Sequence, residues 1–313
     1  MAVAKDGNRI IAVGMRGLIV VSEDTGRTWQ QVVSPVQSDL TGVTFGGAQH
    51  WWATGHDGVI LATADGGRTW LRQFDGRLAT SQFVDYYRNQ IKAGRSDLQP
   101  ILNQTERNFE RGPVLPFLDV VFDDEKRGFV VGPFGLIAAT EDAGKTWVPW
   151  VERIDNPDSL NLNGARKIGR DIYLVGERGM IYRLDRTRGR FVRLPTGYAG
   201  SLFGIVGNAQ VLAAFGLRGT VVTSTDGGAT WKVASIPAPA ALAGADMLED
   251  GRPVFVNTAG MVWIGTTDGS SFTPLPVGQF QPLTCVLAIA PEKLLVGGLQ
   301  GLRILDLPKT IEH

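Results

Sequence analysis

The chain has 313 residues, with 31 basic and 31 acidic side chains and a formal net charge of zero. That balance argues against nucleic-acid binding, which needs a concentrated basic footprint. No apolar run approaches the roughly 18 residues of a membrane helix. The 40 glycines follow no Gly-X-Y period, so they indicate tight turns rather than collagen.

In chain order, the first segment runs from Met1-Ala-Val-Ala into Lys5-Asp-Gly-Asn-Arg9. It has neither a charged n-region nor an apolar h-region, so no signal peptide is read there. Met1 opens within a repeat, and the expectation is that a targeting segment has been removed from this numbering. Pairs of short apolar strands then recur near 9–22, 51–63, 128–140, 171–184, 211–224, 253–266 and 293–306. A further strand precedes each later pair, from near Leu162, Leu202, Ala243 and Thr284. One octet closes most units: Ser22–Trp29, Thr63–Trp70, Thr140–Trp147 and Ser224–Trp231, with a weaker copy at Thr266–Phe272 and a degenerate one at Leu184–Phe191. Each unit therefore reads as four strands, A to D, with the octet as the C–D hairpin.

Turn chemistry accounts for the octet. An Asp accepts hydrogen bonds from turn amides, Gly supplies a backbone angle other residues resist, and an aromatic residue returns to wedge between neighbouring sheets. Asp24, Asp65, Asp142, Asp226 and Asp268, with Trp29, Trp70, Trp147, Trp231 and Phe272, are accordingly read as structural. The fold class expected is all-β: one seven-bladed β-propeller over 1–313, with Asp-box hairpins and one helical insertion. Closure is incomplete in sequence. The last unit lacks an aromatic turn phrase, so its outer strand must come from the tail, from residues upstream of Met1, or be absent.

Residues 74–116 form the insertion, between blades two and three. Phe83, Tyr86, Tyr87 and Ile91 approximate one helical stripe; Leu98, Ile101, Leu102, Thr105 and Phe109 form a second. Gly94–Asp97 is the turn, with Ser96 or Asp97 as helix cap, and Gly112-Pro113 ends the unit. An insertion this long tends to be functional or disordered, and its apolar stripes argue against disorder. Packing as a lid and binding a partner are both open to it.

The phrase [Ser/Thr]-x-Asp-x-Gly-x-Thr-Trp is the Asp box, or BNR repeat, of sialidases and related propellers. The lead-in phrases, Ile11-Ala-Val-Gly-Met-Arg-Gly-Leu-Ile19 and Phe129-Val-Val-Gly-Pro-Phe-Gly-Leu-Ile137, complete a pattern that resembles the photosystem II stability/assembly factor-like family. The resemblance spans nearly the whole chain outside the insertion, which itself looks like the non-photosynthetic bacterial branch. It implies a non-enzymatic assembly or accessory factor, periplasmic or membrane-associated in a bacterium, whose partner is a membrane protein complex or transporter.

Strand order sorts the surface into two faces. A–B and C–D turns share one; B–C and D–A turns share the other. The second carries Arg16, Asp57, Phe134, Arg178, Arg218, Ala259 and Gln300, together with the insertion. Arginines at three matched turns suit carboxylates or phosphates. The expected partner-binding set is Arg16, Arg178, Arg218, Asp57, Phe134, Tyr86, Tyr87 and Arg88. The alternative is a sialidase-like propeller acting on an acidic sugar, using those arginines, the pair Tyr173 and Glu177 or Tyr182, and carboxylates from Asp57, Glu177 and Asp119. Nothing in the sequence sets those carboxylates at a catalytic separation. Scattered His50, His56 and His313 and the single Cys285, read as a buried hydrophobe, form no metal-ligand spacing. No cofactor is expected.

Overall fold

The computed structural model describes residues 1–237, 240–276 and 280–308. They form seven antiparallel sheets in a ring. Blade one shows the plan: strands Ala2–Asp6, Arg9–Val13, Ile19–Ser22 and Gln30–Gln31, in consecutive order from the axis outward. The innermost strands of blades two to seven are Leu40–Gly47, Asp119–Phe122, Leu162–Ile168, Leu202–Gly207, Leu242–Met247 and Leu283–Ala290.

Burial explains the patterns. The second strand of each blade is covered on both sides by neighbouring sheets, so it reads as a continuous apolar run; Ile10–Val13 and Phe129–Val131 are wholly buried. The innermost strands are mixed, because one edge faces the axial opening. The hairpin aromatics fill the wedge against the preceding blade. Trp70 packs with Ile11 and Val13 of blade one, and Trp147 meets Phe122 and the stacked Trp52. Phe272 packs edge-on to Phe255 with ring centroids 5.7 Å apart.

Blade seven shows three strands among the described residues: Leu283–Ala290, Lys293–Gly298 and Gly301–Asp306. Most of the tail considered for its fourth strand lies outside them. Packing closes the ring between blades seven and one. The Thr284 hydroxyl donates to the Met1 carbonyl at 3.2 Å, the Lys5 ammonium donates to the Ala288 carbonyl, and Ile10 is buried with Leu287 and Leu295.

The insertion folds as two helices, α1 (Gly76–Lys92) and α2 (Gln99–Phe109). The capping expectation needs correction. Asp75 caps α1 by accepting from the amides of Arg77 and Leu78, whereas α2 begins after a short 3₁₀ turn, Ser96–Leu98, without a side-chain cap. Asp97 is unavailable because both its oxygens hold Arg95, at 3.0 and 2.8 Å. No helix among the described residues is long and apolar enough to cross a membrane.

Candidate protein-binding face

The Asp-box turns share a face with the A–B turns. Thr25 donates its amide to Asn8 at 2.9 Å, Gly66 to Gln49 at 3.0 Å and Ala143 to Lys126 at 2.9 Å, each joining the two turns of one blade. Within the first box, the Ser22 hydroxyl donates to Asp24 at 2.8 Å. The Thr28 amide and hydroxyl reach the same carboxylate at 2.9 and 2.7 Å, and the Trp29 indole donates to Gly26 at 3.0 Å. Asp65, Asp142 and Asp226 accept the same three bonds, and the indoles of Trp70 and Trp231, but not that of Trp147, repeat the bond to glycine. Asp268 accepts instead from Thr266 and Ser270. These donors stabilise the ionised form: the Thr28 amide leads in holding Asp24 at about 2, and the Thr230 hydroxyl leads in holding Asp226 at about 2. Carboxylates so engaged offer no free base.

The opposite face is built from the B–C turns. Arg16, Asp57, Phe134, Arg178 and Arg218 all adopt left-handed backbone, with φ between 52° and 59°. Each precedes a glycine that also has positive φ, giving the paired geometry of a type I′ turn. The glycine is required twice over at Gly17, where φ is 70° and a Cβ would lie 2.1 Å from the Val36 carbonyl oxygen. The turn thus seats its glycine on the D–A connection and lifts the preceding side chain into solvent. Further bonds fix the seat: the Arg16 amide donates to Asp39 at 2.7 Å and the Phe134 amide to Asn161 at 2.8 Å.

The three turn arginines are exposed but do not converge. Arg178 and Arg218 stand on adjacent blades four and five, and Arg16 stands three blades from either. Arg178 is paired with Asp158 of its own D–A connection at 2.9 Å. The axial channel, about 610 Å³, is lined by the innermost strands of all seven blades and by none of these arginines. The carboxylates weighed for hydrolysis have backbone or local partners. Asp57 accepts from Ser38 at 2.6 Å, Glu177 from the Asn161 amide at 2.8 Å, and Asp119 from the amides of Ala165 and Val120. Tyr173 and Tyr182 are buried, at 3% and 0% exposure. Burial raises the Cys285 thiol to about 11, and the described residues hold no cluster of potential metal ligands.

The insertion lies over blades two and three. Phe83 and Phe109 join the core containing Phe74 and Phe117, and Gln104 donates to the Phe134 carbonyl at 3.0 Å. Tyr87, expected on the recognition surface, is fully buried. Its hydroxyl donates to Glu152 at 2.8 Å and anchors α1 to the blade three–four junction. Tyr86 is half-buried, and Arg88 is exposed and paired with Glu106 at 2.7 Å.

Two features were missed in sequence. Met15, Leu217 and Leu299, exposed by 59%, 40% and 76%, precede the turn residues singled out on blades one, five and seven, and Phe203 adds 37% at the channel mouth. The innermost strands also share an irregularity. The register shifts at Leu40/Gly42, Leu162/Gly164, Leu202/Gly204, Leu242/Gly244 and Leu283/Cys285. Four of these read Leu-x-Gly, a recurring signal that could have located the bulges.

Among solved structures, the chain is similar to one described as YCF48 bound to D1 peptide, with a TM-score of 0.68 and 14% identity over 99% of this chain and 93% of that one. YCF48 from Cyanidioschyzon merolae gives 0.66 and 16% identity, covering 99% and 96%. The Cps50 (Swd1) propeller domain of Myceliophteria thermophila gives 0.68 at only 7% identity, covering 98% and 97%. At such identities the likeness carries the propeller fold alone. No curated protein matches the chain. The model of the family described as photosynthesis system II assembly factor YCF48 matches residues 108–272, more than half of the chain. The chain is therefore a member of the YCF48 photosystem II assembly factor family.

Proposed function

We propose that this propeller is a non-enzymatic protein-binding scaffold, an assembly or accessory factor for a membrane protein complex or exporter, acting at a membrane surface or in the periplasm. It binds through the face of the B–C turns. The observation that carries this reading is the distribution of exposed large apolar side chains. Met15, Val33, Phe134, Phe203, Leu217 and Leu299 lie on that face, Leu78 and Val114 on the insertion beside it, and Leu71, Val148 and Val233 on outer strands. Among the described residues, none lies in an Asp-box turn. Apolar side chains interspersed with arginine suit protein recognition, where such residues form the anchoring centres. A relative in the same family has been solved with a peptide of another protein bound, which supports a peptide or protein ligand here. The separated arginines and engaged carboxylates favour binding over hydrolysis.

Capture from solubilised membranes tests the reading. Wild type is compared with Arg16→Asn/Arg218→Asn/Leu217→Ser on one face and with Asp226→Ala on the other. Partner recovery should fall for the first variant and persist for the second. Equal recovery from both would overturn the assignment of the face. Deleting the insertion is a poorer test, because it uncovers Phe74 and Phe117.

A further inference from the structure

Charge is unevenly distributed around the ring. Blade four, Leu162–Leu194, holds nine arginines and lysines against three acidic residues, a net +6 in a chain whose formal charge is zero. Its C–D hairpin is the one that departs furthest from the Asp box, reading Asp185-Arg-Thr-Arg-Gly-Arg190. Its outer strand, Arg190–Leu194, is the longest among the outer strands. Part of this charge is neutralised locally. Arg186 grips Asp123 with both terminal nitrogens, Lys167 lies 3.6 Å from the same carboxylate, and Arg188 lies 3.6 Å from Asp185.

Arg166 lies 3.4 Å from Asp246 and Arg178 2.9 Å from Asp158, so four of the nine remain. Arg170, Arg183, Arg190 and Arg193 are exposed, and none has a carboxylate within 4 Å among the described residues. Arg183 donates to the Gly227 carbonyl at 3.3 Å. Arg183, Arg190 and Arg193 belong to one hairpin, in which Asp185 stands opposite Arg190 and Arg183 opposite Val192. Arg170 is in the A–B turn beside the hairpin tip, where its carbonyl accepts from Arg186. By strand alternation Arg183 and Arg190 project from one side of this hairpin and Arg193, opposite the buried Tyr182, from the other. With Arg170 beside the tip, they flank the outer edge of blade four on both sides, a band running from the Asp-box face onto the rim and away from the B–C turns.

We infer that this band seats the protein on an anionic phospholipid surface. Its chemistry decides between partners. A protein interface needs buried aromatic or aliphatic anchors at its centre, and blade four exposes no large apolar side chain among the described residues. Single-stranded nucleic acid is held by aromatic stacking platforms, but Tyr182 and Phe191 of this hairpin are fully buried. A diffuse field of lipid phosphates needs only clustered cations on a convex surface, and each arginine adds roughly a fivefold increase in partition. Guanidinium forks match phosphate oxygens without requiring a pocket. Rim-on docking leaves the B–C face open to a membrane-embedded partner, and the inference does not depend on that face.

Vesicle co-sedimentation of the full chain tests this. Phosphatidylcholine vesicles are compared with vesicles also containing phosphatidylglycerol, at low and high salt. Wild type should bind only the anionic vesicles and be released by salt. Arg183→Gln/Arg190→Gln/Arg193→Gln should lose about a hundredfold in partition while melting like wild type. If the triple variant melts early, the single variants should each lose about fivefold. Arg16→Asn/Arg218→Asn should bind vesicles normally, which separates this inference from the proposed partner face. Equal binding to neutral vesicles, wild-type binding by a folded triple variant, or tighter binding to single-stranded RNA than to anionic vesicles would each overturn it.

Discussion

The carboxylate of Asp119, on the innermost strand of blade three, accepts the amide of Ala165 from blade four at 2.9 Å. Asp246 of blade six does the same for Ala288 of blade seven, also at 2.9 Å. Carboxylates at the channel wall therefore join adjacent blades directly. Burial raises Asp119 to about 6, outweighing the two amides it accepts from Ala165 and Val120. A raised carboxyl binds its proton more tightly folded than unfolded. Stability should therefore fall as pH rises from about 4 to about 6, by up to about 3 kcal/mol, and stay level above. In Asp119→Asn this decline should vanish from denaturant unfolding measured across that range.

The Asp boxes have the opposite sign. Burial opposes ionisation of Asp65, but the Thr69 hydroxyl and amide outweigh it and hold the group at about 2. That contribution is present above the ordinary carboxylate range and is lost as pH falls towards about 2. Asp65→Ala should lower unfolding free energy by roughly 1–2 kcal/mol, a figure already reduced for its exposure. Partner capture at the far face should be unchanged.

The left-handed turn residues separate binding from folding. Arg218 has φ of 57°, a conformation that costs most residues about 1–2 kcal/mol and that asparagine accepts more readily. Arg218→Asn should melt at or slightly above the wild-type temperature while partner affinity falls. Unchanged affinity would remove Arg218 from the recognition set.

Gly260 allows no such exchange. Its φ is 78° and a Cβ would lie 1.9 Å from the Phe280 carbonyl oxygen. Gly260→Ala should destabilise by more than about 2 kcal/mol in chemical unfolding, because backbone strain and the clash add.

Tyr87→Phe should loosen the insertion without unfolding the ring. The change strands Glu152, whose side chain is only 10% exposed and keeps Arg153 at 3.4 Å. The expected cost is about 1–3 kcal/mol, visible as faster amide exchange in α1 while the blade strands stay protected.

Local chemistry was legible in sequence and contacts between elements were not. The octets around Asp24, Asp65, Asp142 and Asp226 identified their hairpins because donor, acceptor and turn lie within eight residues. The helical stripes of the insertion were visible for the same reason. Tyr87 was misplaced because spacing shows which side of a helix is apolar, not which tyrosine meets a carboxylate 65 residues away. Asp97 was misassigned as a cap because the competing Arg95 fork depends on side-chain geometry. The bulges at Leu-x-Gly passed unnoticed because their cause lies in the next blade: at Gly164 a Cβ would lie 2.7 Å from the Phe203 carbonyl oxygen.

The type I′ turns have an evolutionary consequence. In blades one to five, the glycine seated on the neighbouring connection holds the backbone, and the residue before it points into solvent. Arg16, Asp57, Phe134, Arg178 and Arg218 occupy the same frame with unrelated chemistries. Those positions can mutate one at a time without disturbing the ring beneath them. Single substitutions can therefore rewrite the chemistry of one face while the fold is kept, whereas a change of an Asp-box carboxylate on the opposite face removes the bonds that close its hairpin.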